Sequence, residues 1–190
     1  IIADYGATFA QQTLGSCDVI PVAPGLPLHY VTVSGGEAVE LDCVHYSGTV
    51  LVLPNGDKAI YYCNAAGTAN AGSLAVGELP GALGDGLTYL SAMEVGLANG
   101  GPVEILPDGK IKIAFQIPQG VDPASLAILY WDPERNDGAG EWVELPADAF
   151  YESLYDPTDG RQVLVGPRVG DGGRFEALVN FTGTFVLVQK

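Results

Sequence analysis

Turn-forming residues interrupt this chain at short intervals. Its 190 residues include 26 glycines and 13 prolines, and the runs between them are short, apolar and often alternating. A stable helix needs a capped apolar stripe sustained over several turns, and no stretch supplies one. Alternation with a period of two, the mark of a strand with one buried face, recurs almost throughout. The spacing predicts an all-β chain, with strands over 2–10, 19–22, 28–33, 38–46, 49–53 and 58–63, then over 87–97, 103–105, 110–117, 125–131, 142–145, 162–165, 175–180 and 184–188. Only 147–154 comes near helical spacing, enough for a turn or two.

Several turns carry their own mechanism. Pro54-Asn55-Gly56-Asp57 lies between two predicted strands, and Asn-Gly accepts the positive φ angles of a tight hairpin. Pro107-Asp108-Gly109 and the run from Asn136 to Gly140 punctuate the second half in the same way. Residues 63–86 are rich in Ala and Gly, with little to pack, and read as a join between two β units, 1–75 and 84–190. Seven of the eight basic residues and 14 of the 23 acidic ones follow residue 100, so the first unit is the less charged and the more easily buried.

Composition narrows the function. A formal net charge of −15 opposes nucleic-acid binding, which needs a basic face to displace phosphate counterions. No apolar run reaches the 18 or so residues that cross a bilayer as a helix. Charged residues are 16% of the chain, and Lys occurs only at 58, 110, 112 and 190. Much of the surface is therefore small and weakly polar, which suits burial against neighbouring copies; an acidic monomer is the competing reading. The chain starts at Ile1 and not at Met, which reads as processing or as a fragment; removal of a signal segment is the expectation, with a secreted, disulfide-permissive setting. Cys17, Cys43 and Cys63 contain no Cys-x-x-Cys pair. One intrachain disulfide is expected, with Cys43–Cys63 first and Cys17 as a competitor for either partner. Cys43 and His45 share a strand face, so a metal site with the other cysteines is the less favoured alternative.

From residue 87 onward the residues form a familiar series. Leu87-Thr88-Tyr89-Leu90-Ser91 opens it, and Leu106-Pro107-Asp108-Gly109-Lys110 leads into the strand ending at Ile117-Pro118. Val121-Asp122-Pro123 precedes Leu129-Tyr130-Trp131-Asp132, and Phe181-Thr182-Gly183-Thr184-Phe185-Val186-Leu187-Val188 closes it. Over roughly 84–190 the chain resembles immunoglobulin-like β-sandwich modules of large secreted and surface proteins of bacteria. The resemblance implies an immunoglobulin-like sandwich over that stretch and carries no catalytic motif. The first 80 residues resemble no family, and the turn-punctuated strand spacing along the whole chain gives the expectation of two consecutive immunoglobulin-like sandwich units. Ile111, Ile113, Phe115 and Ile117 share one face of a strand, Tyr130 and Trp131 must point to opposite faces, and Phe185 to Val188 imply a strand covered on both sides.

Reactive chemistry is sparse. The two histidines are His29 and His45, and neither a Gly-x-Ser-x-Gly elbow, a P-loop nor a His-Glu-x-x-His motif occurs. The expectation is a non-enzymatic chain that requires no cofactor. Asp132, Glu134 and Asp137 suggest calcium, but Asp137 and Val143 stand where an EF-hand needs Gly and Glu. A solvated hairpin loop is the plainer reading. Tyr130, Trp131, Trp142, Tyr151 and Tyr155 are candidates for a sugar-stacking platform or for core. Asn180-Phe181-Thr182 fits the N-glycosylation pattern inside a predicted strand. At the N-terminus, Ile1, Tyr5 and Phe9 give 1–10 an apolar face, followed by a polar lead. Such a strand completes its own sheet or a neighbour's, and in the second case head-to-tail addition builds a fibre. The function expected is a structural subunit of an extracellular filament or surface assembly, with itself as partner. The alternative is a carbohydrate- or calcium-binding adhesin module with a glycan partner.

Overall fold

A computed structural model describes residues 13–14, 17–21, 29–34, 39–40, 48–62, 68–97, 110–154, 160–170 and 172–190, with the backbone alone for 68, 97 and those before 48 other than Thr32. The strands are β1 (Thr13–Leu14), β2 (Cys17–Pro21), β3 (His29–Ser34), β4 (Val39–Glu40), β5 (Gly48–Val52), β6 (Lys58–Tyr62), β7 (Thr68–Ser73), β8 (Thr88–Leu97), β9 (Ile111–Gln116), β10 (Leu126–Asp132), β11 (Glu141–Glu144), β12 (Phe150–Ser153), β13 (Gln162–Val169), β14 (Arg174–Val179) and β15 (Gly183–Gln189). Three short 3-10 turns are the only helical elements among the described residues, so the chain is all-β there. None is long and apolar enough to cross a membrane.

The strands form two sheets. One has nine strands in the order β1-β2-β3-β5-β6-β9-β14-β13-β12, the other six in the order β11-β10-β15-β8-β7-β4. Neighbours pair antiparallel apart from β3 and β5, which are parallel. Strand β6, before 63–86, pairs with β9 after it, and β7, which lies within that segment, pairs with β8.

The core lies between the sheets and follows the alternation of side chains along each strand. Ile111, Ile113 and Phe115 of β9 face Ile128 and Tyr130 of β10, Phe185 and Leu187 of β15, and Met93 and Val95 of β8 within one buried cluster. Each fully buried side chain of this size stabilises the fold by about 1.5–3 kcal/mol relative to an exposed one. Tyr130, Phe181 and Phe185 pack as rings with centroids 4.7–5.7 Å apart. As expected, Ile111, Ile113 and Phe115 share the buried face, and Tyr130 enters the core while Trp131 leaves it.

Part of the outward face of the six-stranded sheet is buried as well. Val186 and Val188 join Ala92, Ala127 and Leu129 in a second cluster beneath Leu74, Leu79, Leu83, Leu87 and Trp142. The double cover expected for β15 is therefore supplied by 74–87, part of the segment read as a join. Trp142 Nε1 donates to the Gly81 carbonyl at 3.0 Å. A Cβ at Gly81 would come within 2.4 Å of the Trp131 ring, so only glycine lets the strap lie this close.

Two expectations need correcting. Residues 68–73 are not a plain connection but strand β7: Ala69 and Ala71 point into the core while Gly72 is exposed. The alternation was present in side chains too small to reveal it. Residues 147–154 form no helical turn. Ala149 is buried, and Phe150–Ser153 is drawn into the nine-stranded sheet by pairing with β13, tertiary pairing overriding a weak helical pattern.

Candidate functional site

Strand β12 ends the nine-stranded sheet among the described residues. Among the described residues it pairs on one side only, with Phe150 opposite Val165, Glu152 opposite Val163 and Ser153 opposite Gln162. A sheet edge presents unpaired main-chain groups and templates the addition of a further strand. Phe150 is 74% exposed and Tyr151 52%, and their rings meet edge to face with centroids 4.9 Å apart. Alternation should have turned one of these side chains inward. It fails because Tyr151 has φ +53°, in the left-handed region, which costs a non-glycine residue roughly 1–2 kcal/mol. The neighbouring strand is irregular too. The pairing of β13 with β14 shifts register twice, between Val163 and Val165 and between Val165 and Arg168, as bulges near a sheet edge do.

The approach to this edge is fixed by Gly166 of β13. A Cβ there would lie 2.3 Å from the Pro146 carbonyl oxygen and 2.5 Å from that of Ala147. The Gly166 amide donates to the Ala149 carbonyl at 2.9 Å. The 146–149 loop is thus laid directly against β13, with Leu145 and Ala149 buried beneath it, and the aromatic pair is carried outward on a rigid base.

Polar pins tie the sheets together. The first is the turn 53–57. Gly56 has φ +84° and donates from its amide to the Leu53 carbonyl at 2.8 Å, while the Leu53 amide donates to the Asp57 carbonyl at 2.9 Å. Only the glycine of the Asn-Gly pair takes a positive φ, as in a three-residue hairpin loop closed by a left-handed glycine. Asp57 is 1% exposed. Its Oδ1 accepts from the Gln116 amide of β9 at 2.7 Å, and its Oδ2 accepts from the Ser91 hydroxyl of β8 and from Asn55 Nδ2 at 2.8 Å. One carboxylate thereby links β9 of the larger sheet to β8 of the smaller. Burial raises its pKa above the ordinary carboxylate value, against the opposing pull of Ser91, the Gln116 amide, Asn55 and the Arg174 charge.

The second pin is Tyr61 of β6, fully buried, whose hydroxyl shares its proton between the carbonyls of Asn70 and Gly96 at 2.9 and 3.0 Å. Burial pushes this phenol's pKa up. In the third, Arg161 donates to the Tyr130 hydroxyl at 3.1 Å and pairs with Asp132 at 3.4 Å and Glu134 at 3.3 Å. Arg135 also approaches Asp132, at 3.6 Å.

These positions decide what the expected site residues are doing. Asp132 and Glu134 come together, but around Arg161, and Asp137 is exposed in left-handed backbone at φ +55°. Among the described residues no group of three His, Cys, Asp or Glu side chains is placed to hold a metal ion. Trp131 and Trp142 meet with ring centroids 5.2 Å apart beneath the strap, Tyr130 is core, and Tyr151 alone of the described candidates is exposed. Asn180 uses both ends of its carboxamide: Oδ1 accepts from the Gln162 amide at 2.7 Å and Nδ2 donates to the Gly160 carbonyl at 2.9 Å. Cys17 lies in β2 by its backbone. Cys43, Cys63, His45, Tyr155 and the expected assembly strand with Ile1, Tyr5 and Phe9 lie outside the described residues. Asn55, Asp57, Ser91 and Phe150 were not marked as site residues by any sequence pattern; the Pro-Asn-Gly-Asp run pointed to the turn without pointing to its partners. No family model, no curated protein and no solved structure matches the chain.

Proposed function

We propose that the chain is a non-enzymatic structural subunit of an extracellular filament or surface assembly. In this reading it is built of immunoglobulin-like sandwich units and joined to its own copies by β-strand addition. Residues 1–10 of one copy, with Ile1, Tyr5 and Phe9 as the apolar face, add to the β12 edge of the next. The observation that carries the reading is the aromatic pair Phe150–Tyr151, held out at an edge of the larger sheet by strained backbone. Strain of this kind persists where the surrounding structure over-determines it, and it clusters at functional sites. The low share of charged residues, 16% of the chain, supports the same reading. Because the donor and the acceptor edge are different surfaces, the contact is heterologous and propagates into a fibre.

Negative-stain microscopy and light scattering of the full chain test the proposal. Polymers are expected, and deletion of 1–10 should leave a folded subunit that does not polymerise. Unchanged polymers from the deletion reject strand addition by this segment. A strictly monomeric full chain rejects the subunit reading. The exposed ring pair also favours a second reading, a glycan-binding adhesin module; glycan-array binding by a monomer, lost in Phe150→Ser, would select it.

A further inference from the structure

The turn at 53–57 holds a chemical hazard together with the device that contains it. An asparagine followed by glycine is open to attack on its own side chain, because a residue without Cβ leaves its backbone amide nitrogen unshielded. Replacing the glycine carries a cost of its own: Gly56 has φ +84°, a backbone conformation that strains any residue with a Cβ. Asn55 is required in its turn: its Oδ1 accepts from the Asp57 amide at 3.1 Å, closing the side chain onto the backbone two residues on. Its Nδ2 donates to Asp57 Oδ2 at 2.8 Å and to the Ser91 hydroxyl at 3.1 Å.

We propose that Asn55–Gly56 is a latent self-modification site, which deamidates when the turn opens and is kept unreacted by the Asp57–Ser91 pin while the turn is closed. In the reaction the Gly56 nitrogen loses its proton and attacks Asn55 Cγ. The N–Cγ bond forms, the Cγ–Nδ2 bond breaks, and the nitrogen leaves as ammonia with that proton. Water then opens the cyclic imide at either carbonyl, giving aspartate or isoaspartate at 55, with no change of oxidation state. The closed turn opposes each requirement. The Gly56 N–H is engaged by the Leu53 carbonyl, the Gly56 carbonyl accepts from Arg174 at 3.0 Å, and the carboxamide is anchored at both ends. The product sharpens the consequence. A carboxylate at 55 replaces a donor to Asp57 by a like charge, so the link from the turn to Ser91 weakens once and irreversibly. The reaction makes the turn a clock that records how often this hairpin tip has opened.

The test incubates the full chain in mildly alkaline buffer, folded and in denaturant, and follows the mass of the peptide spanning 55–56 together with isoaspartate labelling. The folded chain should react slower than the denatured one by about tenfold or more, as expected for a site reached only by local opening. Ser91→Ala, with its fold checked by circular dichroism, should fall between the two. Equal rates in folded and denatured chain would overturn the proposal, and so would the absence of reaction in denaturant. A Ser91→Ala rate equal to that of the wild type would remove Ser91 from the pin. The folded-against-denatured comparison stands even where the variant does not fold.

Discussion

The 53–57 turn and the β12 edge each contain left-handed backbone, at Gly56 with φ +84° and at Tyr151 with φ +53°, but they treat it differently. In the turn the residue is a glycine, so the conformation carries no Cβ penalty, and the polar side chains beside it are closed onto partners in both sheets. At the edge the residue is an aromatic that bears the penalty, and the Phe150 ring beside it faces solvent. The turn converts an unusual conformation into a bond between sheets. The edge converts one into exposed apolar surface. On the proposed reading, stability and association are lodged in different places, and substitutions should separate them.

The largest effect should come from the turn. Asp57→Ala removes one carboxylate from three donors and leaves the Gln116 amide without its partner, at a cost of about 3 kcal/mol in urea unfolding. A loss under about 1 kcal/mol would mean that water replaces the carboxylate and that the pin is not the stabilising element. Next comes the support of the edge. Gly166→Ala drives a methyl group into two backbone carbonyl oxygens of the 146–149 loop and should cost about 2 kcal/mol, typical of overpacking.

The third prediction is pH dependence. Burial raises the Asp57 carboxyl above its ordinary value of 3.8, so the folded chain holds this proton more tightly than the unfolded chain does. Its contribution is fully present below the unfolded value and fades as pH rises through the raised folded value. The wild type should show this loss in its unfolding midpoint between the two values, and Asp57→Asn should flatten it. An opposite slope would mean that the hydrogen bonds outweigh burial. The smallest effect on stability is expected at the edge, where Phe150→Ser combined with Tyr151→Gly removes exposed rings and relieves the left-handed residue. The net change should stay within about 1 kcal/mol.

Strong alternation made most of the strands legible. Tyr130 and Trp131 divided between the two faces of β10, and Val186 and Val188 signalled a second covered face before anything indicated what covered it. The cover itself was hidden because 74–87 has no regular period; its leucines act by lying across a sheet formed from distant residues. Strand β7 was hidden because alanines at 69 and 71 give little alternating signal. The turn was legible as a turn, since Pro-Asn-Gly-Asp encodes its own geometry. Its role as a pin was not, because Ser91 and Gln116 lie 34 and 59 residues from Asp57 and no local spacing links them. Phe150 and Tyr151 looked like part of a helical turn, and only the pairing with β13 makes them an edge.

The division between pin and edge is tested most directly by sedimentation velocity on the full chain carrying Phe150→Ser and Tyr151→Gly, read beside its urea midpoint. The account predicts a monomer with a near-wild-type midpoint where the wild type forms polymers. Polymers of wild-type size from the double variant would contradict it, as would a collapse of the midpoint, which would make the edge a part of the core.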